Sequence, residues 1–402
     1  MNQALTVDEA LARILADAQS TPSEQVGLLE AANRTLAEPL TARLTQPPFD
    51  SSAMDGYAVR SDDVARLPAT LDIIGQAAAG HPFTGSLSAG QAVRIFTGAP
   101  MPAGSDTVVI QENTTREGNF VYINDCVPDP GHVRPSGGDF TAGSEIIAAT
   151  THLLPRHVAL AAAMGHSSLK VHRKPMVAIL ATGDELVEPG TTPGPGQIVA
   201  SNGYALAAMV ASAGGESCLL GIARDTLDSL QQKLALASDA DIVVTIGGAS
   251  VGEHDLVESA LTKSGFQLDF WKIAMRPGKP LMFARRSHQR AIGLPGNPVS
   301  AIVCAYIFLL PLIAKLSGRP SHETNVVEAR LAAPLDRNGP RQHYMRARRT
   351  RCSADGEAVT PAESQDSSLL SILASSNCLI VRPPGAPALE AGSKVTVVPI
   401  DF

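Results

Sequence analysis

The chain has 402 residues, enough for about two to four domains with separate cores. Hydrophobic residues make up 44% and charged residues 18% of it, a balance typical of soluble globular proteins and unlike that of disordered ones. The net charge of −7 argues against general nucleic-acid binding, since phosphate contacts need clustered lysine and arginine. The basic stretch 341–351 is the local exception: it is either a solvated strand face or part of a site for an anionic small substrate.

The cysteines are scattered, with no CxxC pair: Cys126, Cys218, Cys304, Cys352 and Cys378. That spacing fits neither a zinc site nor a disulfide framework and favours a reducing compartment. The N-terminal segment is acidic and amphipathic, unlike a signal peptide. The longest apolar run, 301–316, is broken by Pro311 and is shorter than the ~20 residues of a membrane span, which predicts a buried helix. We therefore expect a cytoplasmic protein that does not act at membranes.

The first half of the chain predicts helices on either side of a β module. Apolar spacing over 6–20 indicates a helix, with Thr6 as N-cap and Glu9 completing a capping box. From about residue 46 to 137, short β-type runs alternate with Gly/Pro turns. Another helical pattern follows in PRHVALAAAMG, 155–165. We expect the β domain 46–137 to be inserted into a helical linker domain formed by residues 1–45 and 138–175.

Strand and helix patterns alternate from residue 176 to 318. The continuous apolar run MVAILAT, 176–182, is typical of a strand buried on both faces. This alternation predicts a doubly wound α/β domain, and the β-type patterns of 319–402 predict a C-terminal β domain. The expected fold class is therefore multidomain, α/β plus β modules.

Polar loops follow several of the strands predicted for the α/β domain. Ligands of such domains bind at the carboxyl ends of the strands, so we expect these loops to share a site. Three acids offer the hard oxygen ligands that Mg²⁺ prefers: Glu185, Asp225 and Asp255. Three cations in the same region would neutralise an oxyanion: Lys272, Arg276 and Lys279.

The stretch VVTIGGASVGEHD, 243–255, leaves three interpretations open. Ser250 could be a nucleophile, Gly247-Gly248 could cradle an anion, or the glycines could simply permit a tight turn. GASVG matches the G-x-S-x-G elbow of hydrolases, but the acids beyond the serine, Glu253 and Asp255, would oppose an oxyanion. A hydrolase also needs a downstream histidine, and the candidates lie in no characteristic local context: His288, His322 and His343.

The junction at 293–300 predicts a helix start that could bind an anion. Asn297 is a good N-cap and Pro298 suits the first helical position. The amides of Val299 and Ser300, with the Ser300 hydroxyl, would then face an anion. The alternative is an ordinary capped helix.

Seven stretches occur in the order of one known family: PPFDSSAMDGYAVR (47–60), RIFTGAPMPAGSDTVVIQE (94–112), RPSGGDF (134–140), ATGDEL (181–186), TIGGASVGEHD (245–255), RPGKP (276–280) and GLPGNPVSA (293–301). Through them, nearly the whole chain resembles the MoeA and gephyrin E-domain family of molybdopterin molybdenumtransferases. The resemblance implies that adenylylated molybdopterin and molybdate are bound with Mg²⁺, that the adenylate is cleaved, and that AMP is released. It also implies a homodimer whose active cleft lies between the α/β domain of one subunit and the β module of the other. A molybdopterin adenylyltransferase is a candidate partner.

The family's functional positions carry over onto matching residues. Those implied to be catalytic are Asp55, Asp139, Glu185, Asp225, Asp255 and Lys279. Those implied to bind substrate are Thr97, Ser250, Lys272 and Ser300. The chemistry of the loops adds three further candidates for substrate binding, Gly247, Gly248 and Arg276. The C-terminal domain offers looser candidates for the oxyanion pocket, of which Arg341 and Ser368 are preferred: Arg341 or Arg346, and Ser367, Ser368 or Ser371. On this reading the glycines cradle phosphate and Asp255 helps to hold the metal.

Two departures from the family pattern leave alternatives open. Arg276 stands where the family usually has lysine, which keeps the charge and changes its geometry. Ile246 replaces a common serine and so removes a hydroxyl near the site. The alternatives are a tungstate-preferring homologue and a non-catalytic molybdopterin-binding or scaffold paralogue. The sequence also does not decide which acids bind metal directly and which act through water.

Overall fold

The computed structural model describes residues 4–124, 129–248, 256–319, 326–352 and 356–400. The chain divides into two compact units. One comprises Met1–Glu24, Asn33–Ala37 and Lys170–Phe402, and the other comprises Gln25–Ala32 and Glu38–Leu169. Strands Ser23–Gly27 and Ser168–His172 lie where the chain passes from one unit to the other.

The larger unit is built on a six-stranded sheet in the order Glu216–Ala223, Met176–Thr182, Ile242–Ile246, Gln289–Leu294, Met282–Arg286, Gln267–Trp271. The first four strands are parallel and the last two are antiparallel additions. Alternate residues of the strand 176–182 enter different cores: Val177 and Ile179 join one hydrophobic cluster, Ala178 and Leu180 the other. The predicted doubly wound α/β domain is confirmed, because a strand buried on both faces must be apolar throughout.

Helices cover both faces of this sheet: Val7–Leu15, Asn202–Ser212, Leu227–Ala235, Leu256–Lys263 and Pro298–Leu316. The last is long and apolar enough to cross a membrane by length and composition, but 94% of it is buried inside the protein. The buried helix expected from the sequence is confirmed, and Pro311 lies within it. The turn Ala305–Leu309 is a π-helix between the α-helical segments Pro298–Cys304 and Leu310–Leu316, and this wider turn accommodates the proline, which cannot donate a backbone hydrogen bond.

The C-terminal part of the larger unit is a closed β-barrel with a small core of its own. Its strands close in the order Gln342–Cys352, Gly356–Pro361, Val327–Leu331, Lys394–Pro399, Cys378–Arg382 and back to the first. The short strand Met275–Arg276, which follows the α/β sheet in the chain, adds to this barrel through parallel pairing with Gln342 and His343. Helix Leu370–Ser375 and the short parallel pair Leu186–Val187 with Ile198–Val199 complete the unit.

The smaller unit contains the predicted β module. Its six-stranded sheet has the order Thr107–Ile110, Gly56–Val59, Gln91–Ile95, Ala69–Ala77, Phe120–Ile123, Thr114–Glu117. The same unit contains two pairs of very short antiparallel strands: Ser51–Ser52 pairs with Val133–Arg134, and Leu40–Thr41 pairs with Glu145–Ile147. The other elements are helices Leu28–Ala31 and Pro155–Ala163 and the 3₁₀ turns Ser61–Val64, Gln111–Asn113 and Pro130–His132.

The linker domain expected from residues 1–45 and 138–175 stays a prediction, and its two predicted helices lie one in each unit. Helix Val7–Leu15 has the predicted capping box, in which the Glu9 amide donates to the Thr6 hydroxyl (3.2 Å) and the Thr6 amide donates to the Glu9 carboxylate (2.8 Å). Its residues Val7, Ala10 and Ile14 belong to the core of the α/β sheet, while helix Pro155–Ala163 lies in the other unit. The apolar face of the first helix thus determines its place in the fold.

Replacing Ile14 by alanine should destabilise the larger unit by about 2–4 kcal/mol, because a fully buried side chain leaves a cavity. Urea unfolding followed by the fluorescence of Trp271, the single tryptophan of the sequence, measures this in the α/β sheet. The control Leu236→Ala removes a side chain that is 68% exposed and should change stability by less than about 0.5 kcal/mol. Equal effects of the two substitutions would contradict the burial of the first helix.

Candidate active site

A cleft of about 720 Å³ lies at the carboxyl ends of the central parallel strands. The strands Met176–Thr182, Ile242–Ile246 and Gln289–Leu294 end at its wall, and the loops that follow them form its lining. Five residues predicted for the site line this one cleft: Glu185, Asp225, Gly247, Gly248 and Ser368. The structure thus brings together side chains that are distant in sequence, as the rule for doubly wound sheets requires.

Glu185 and Asp225 are positioned by backbone contacts between neighbouring loops. The Glu185 carbonyl accepts a hydrogen bond from the Ile198 amide at 2.8 Å, which begins the short parallel strand pair. The Asp225 amide donates to the Asp184 carboxylate at 3.3 Å, and the Arg224 guanidinium donates to the Asp184 carbonyl at 3.2 Å. Asp184, which sequence reasoning did not single out, therefore ties the two acidic loops together.

The glycine pair at 247–248 is required by backbone geometry. Gly247 and Gly248 have φ of 90° and 67°, in the left-handed region that other residues rarely adopt. A β-carbon on Gly247 would lie 2.7 Å from the Thr182 carbonyl oxygen, and one on Gly248 would lie 2.5 Å from a methyl of Val257. The two glycines therefore form a tight turn that other residues could not adopt, and the backbone of this turn also lines the cleft. Ser250 and Asp255 lie outside the described residues.

A second cavity, of about 380 Å³, adjoins the cleft and shares Pro280, Pro295 and Asn297 with it. Its lining includes predicted residues from the α/β domain and from the barrel: Arg276, Lys279, Ser300 and Arg341, with Ser367 among the looser candidates. Within the part of the chain that the structure describes, Arg276, Arg341 and Lys279 form no ion pairs. The Asp366 carboxylate also lines this cavity, so three cations face one acid, and the excess of positive charge favours an anionic ligand.

Arg346 supports this cavity without lining it. Its side chain is 1% exposed and donates hydrogen bonds to the carbonyls of Leu369 (3.0 Å), Ser364 (3.1 Å) and Asp366 (2.8 Å). The guanidinium thereby fixes loop 364–369, in which Ser367 lines the cationic cavity and Ser368 the cleft. Between the two arginines left open by the sequence, Arg341 lines the cavity and Arg346 holds its wall. Ser371, in helix Leu370–Ser375, lines neither space.

The helix start at Asn297 differs from expectation. Asn297 has the extended backbone of an N-cap, but its side chain donates to the Ser367 hydroxyl at 3.0 Å and does not cap the helix. The Val299 amide, expected to face an anion, donates to the Ser367 carbonyl at 3.1 Å. The hydrogen-bonding capacity of this amide is therefore taken up by the barrel loop, which lies far from the helix in sequence and contacts it in the fold. Ser300, which is buried, still lines the cationic cavity.

Lys272 lines neither the cleft nor the cationic cavity. Its backbone has φ of 79°, its amide donates to the Leu281 carbonyl, and its ammonium lies 5.0 Å from the centre of the Trp271 ring. A cation over an aromatic face is stabilised by the ring's electrons. The structure therefore places Lys272 beside Trp271, and its predicted contact with substrate stays a prediction.

The remaining predicted residues, Asp55, Thr97 and Asp139, lie in the smaller unit. The amide and the hydroxyl of Thr97 both donate to the same Asp55 carboxylate oxygen at 2.8 Å. The amide bond first, and then the hydroxyl bond, hold the pKa of Asp55 below its ordinary value. The Asp139 amide donates to the Gln46 carbonyl at 3.0 Å, which fixes the backbone of that loop.

His343 is a buried histidine among arginines. It is 6% exposed and pairs in register with Arg276 on one side and Arg382 on the other. Burial first, and then the charges of Arg276, Arg341, Arg346 and Arg382, lower its pKa to about 4. The imidazole is therefore neutral near pH 7 and adds no charge to the cationic cavity. Such a depressed pKa also makes it a poor general base for the hydrolase alternative.

Within the described ranges, no group of three His, Cys, Asp or Glu residues is arranged to hold a metal ion. Glu185 and Asp225 nevertheless line one cleft, and the third predicted ligand, Asp255, lies outside those ranges. Mg²⁺ is commonly held by one or two carboxylates together with substrate phosphates and water. The two described acids fit that mode of binding.

Three family models account for most of the chain. Residues 5–165 match the MoeA N-terminal region (domain I and II), residues 178–315 a "Probable molybdopterin binding domain", and residues 328–400 the MoeA C-terminal region (domain IV). A protein named molybdopterin molybdenumtransferase from Nostoc sp. is 40% identical over 94% of this chain and 88% of its own. The chain belongs to the MoeA family. A protein of the same name from Haemophilus influenzae is 36% identical over 99% of both chains.

Solved structures extend the MoeA likeness to the fold. The crystal structure of a molybdopterin biosynthesis moeA protein from Pyrococcus horikoshii is similar with a TM-score of 0.83 and 29% identity, covering 99% of both chains. A molybdenum cofactor biosynthesis protein from Pyrococcus furiosus has a TM-score of 0.60 at 19% identity and supports the fold alone. The resemblance read from the seven sequence stretches is therefore confirmed.

The depressed pKa of His343 predicts a pH dependence of stability. Between about pH 6.5, its ordinary pKa, and about pH 4, the unfolded chain binds a proton that the folded chain does not. The contribution of neutral His343 to the free energy of unfolding is therefore fully present above about pH 6.5 and is lost as the pH falls towards about 4. Urea titrations across this window should show a smaller loss for His343→Gln than for the wild type.

His288, which is exposed in the same unit, provides the matched control, and His288→Gln should leave the pH dependence unchanged. An identical loss of stability in His343→Gln and the wild type would contradict the burial of a neutral imidazole.

Proposed function

We propose that the protein is a molybdopterin molybdenumtransferase, which inserts molybdate into adenylylated molybdopterin and releases AMP. The observation that carries the proposal is the pair of adjoining spaces in the larger unit of a MoeA-family chain. One is a cleft with Glu185 and Asp225 at the ends of parallel strands, and the other is a cavity with Arg276, Lys279 and Arg341. The reaction needs such a pair, since it brings a nucleotide phosphate and a small metal-oxo dianion together.

Glu185 and Asp225 are proposed to hold Mg²⁺ in the cleft, with Asp255 as a further ligand. When bound, Mg²⁺ would offset the charge of the phosphates and so favour cleavage of the adenylate. The turn at Gly247 and Gly248 gives the substrate a wall without side chains. Backbone can therefore approach a phosphate closely at this point.

The cationic cavity is proposed to bind molybdate. Molybdate is a tetrahedral dianion, so its site needs positive charge and hydrogen-bond donors in several directions. Arg276, Lys279 and Arg341 supply charge, and the hydroxyls of Ser300 and Ser367 supply donors. Because the cavity adjoins the cleft, molybdate would lie beside the part of molybdopterin that receives the metal.

Asp55, Thr97 and Asp139 are proposed to complete the active site from the β module of a second subunit in a homodimer, as the family resemblance implies. The lowered pKa of Asp55 means that its carboxylate is ionised near neutral pH and accepts hydrogen bonds. We expect the protein to act in the cytoplasm, without nucleic acid or membrane as partners, and to receive its substrate from a molybdopterin adenylyltransferase.

Purified protein supplied with adenylylated molybdopterin, Mg²⁺ and molybdate should release AMP, which chromatography quantifies. Asp225→Ala and Asp255→Ala should each lower the rate by about 100-fold or more, since charge on the reacting phosphates would be less well offset. Asp239→Ala alters an exposed acid of the same unit outside the cleft and should leave the rate unchanged. Absence of AMP from the wild type would refute the proposal, and tight molybdopterin binding without turnover would support a scaffold role.

Lys279→Ala should raise the KM for molybdate by about tenfold or more, because a charge-assisted contact to the dianion is removed. Lys263→Ala, at the exposed end of helix Leu256–Lys263, is the control and should have no effect. Measuring the same constants with tungstate tests the tungstate-preferring alternative, which a lower KM for tungstate than for molybdate would favour. An unchanged molybdate KM in Lys279→Ala would exclude the cationic cavity as the molybdate site.

A further inference from the structure

Arg94 occupies a central position in the sheet of the smaller unit. It lies on strand Gln91–Ile95, directly opposite Tyr57 on strand Gly56–Val59. Its guanidinium carbon is 5.1 Å from the centre of the Tyr57 ring and 4.8 Å from that of Phe96. Contact with two aromatic rings restricts the guanidinium to one place and stabilises its charge there.

The same guanidinium holds the backbone that follows Asp55. Its Nη1 donates to the Gly56 carbonyl at 3.1 Å, and its Nη2 donates to the side-chain oxygen of Gln111 at 2.6 Å. The Gln111 amide in turn donates to the Asp55 carbonyl at 3.0 Å. Two successive carbonyls, those of Asp55 and Gly56, are therefore fixed by Arg94, one through Gln111 and one directly.

Arg94 also contacts the segment that carries Thr97. Phe96, whose ring lies against the guanidinium, immediately precedes Thr97, and both Thr97 donors reach the Asp55 carboxylate. No residue with a side chain fits in place of Gly56, since a β-carbon there would lie 2.0 Å from the Val109 carbonyl oxygen. The guanidinium thus touches both sides of the Asp55–Thr97 pair within a tightly packed part of the sheet.

The charge of Arg94 is not used in an ion pair. Among the residues that the structure describes, no carboxylate lies within ion-pair distance of its guanidinium, whose hydrogen-bond acceptors are neutral oxygens. The positive charge does act on Asp55, where it adds to the two Thr97 hydrogen bonds in lowering the pKa of the carboxyl.

We propose that Arg94 is a positioning residue for Asp55, which orients the Asp55–Thr97 pair through the Gly56 carbonyl, Gln111 and the Phe96 ring. The effect on turnover rests on the proposed function, whereas the effect on geometry does not. In this role Arg94 acts through the residues that it holds and does not contact substrate. Its loss should therefore lower kcat and leave the KM for molybdate unchanged.

Hydrogen exchange of the full-length protein, read by mass spectrometry, tests the geometry directly. In Arg94→Gln, peptides that contain the amides of Thr97 and Gln111 should exchange about tenfold faster or more than in the wild type, because both amides donate to Asp55. Arg116→Gln removes an exposed arginine from the same sheet and should leave these peptides unchanged. Unchanged exchange at Thr97 and Gln111 in Arg94→Gln would overturn the proposal whatever its activity.

AMP release supplies the second readout. The kcat of Arg94→Gln should fall by about 10- to 100-fold, the usual loss for a residue that orients a reacting group. Arg94→Lys keeps the charge over the rings but not two diverging donors, so it should recover part of kcat and part of the protection. If Arg94→Gln loses protection throughout the sheet, the exchange of Arg94→Lys distinguishes the two cases. Faster exchange in Arg94→Lys that is confined to the Thr97 and Gln111 peptides supports the proposal, and exchange equal to that of the wild type overturns it. A wild-type protein that releases no AMP would refute the proposed function and leave the exchange experiment valid.

Discussion

The candidate site depends on the contact between loop 364–369 of the barrel and the start of helix Pro298–Leu316. The buried guanidinium of Arg346 gathers three carbonyls of this loop, and the Ser367 carbonyl accepts the Val299 amide. A buried charge without hydrogen bonds would cost several kcal/mol, so the loop and the guanidinium stabilise each other. Ser368 of this loop lines the cleft, and Gln365, Asp366 and Ser367 line the cationic cavity, so displacement of the loop would change the lining of both.

Charge is separated within a short distance in the larger unit. Glu185 and Asp225 line the cleft, whereas Arg276, Lys279 and Arg341 line the cationic cavity together with Asp366. The neutral state of His343 fits this arrangement, because a further positive charge between Arg276 and Arg382 would be repelled. The proposed function makes use of this separation, since Mg²⁺ and molybdate would then be bound in adjoining spaces of opposite charge.

An arginine also holds backbone next to a candidate site residue in the smaller unit. Asp55 is held by donors from Thr97 and, on its backbone side, by contacts that lead to Arg94. In both units a guanidinium thus fixes, through carbonyl oxygens, backbone that carries a candidate site residue: Arg346 for Ser367 and Ser368, and Arg94 for Asp55. An arginine suits this task because its planar fork donates in several directions at once.

The sequence by itself determined the elements and the family. The apolar run 176–182, the Thr6–Glu9 capping box and the seven stretches were sufficient, since strand burial, helix capping and glycine turns are local properties. It also placed Glu185 and Asp225 at one edge of the sheet, because parallel strands share a direction.

Only the tertiary structure decided which distant residues meet. It assigned the first helix to the α/β core and placed a π-helical turn, Ala305–Leu309, in the long apolar helix. It also made Arg341 and not Arg346 a lining residue, and paired the Val299 amide with the Ser367 carbonyl. The physical reason is the same in each case. These outcomes depend on contacts across long sequence separations, and the pattern of neighbouring residues does not record them.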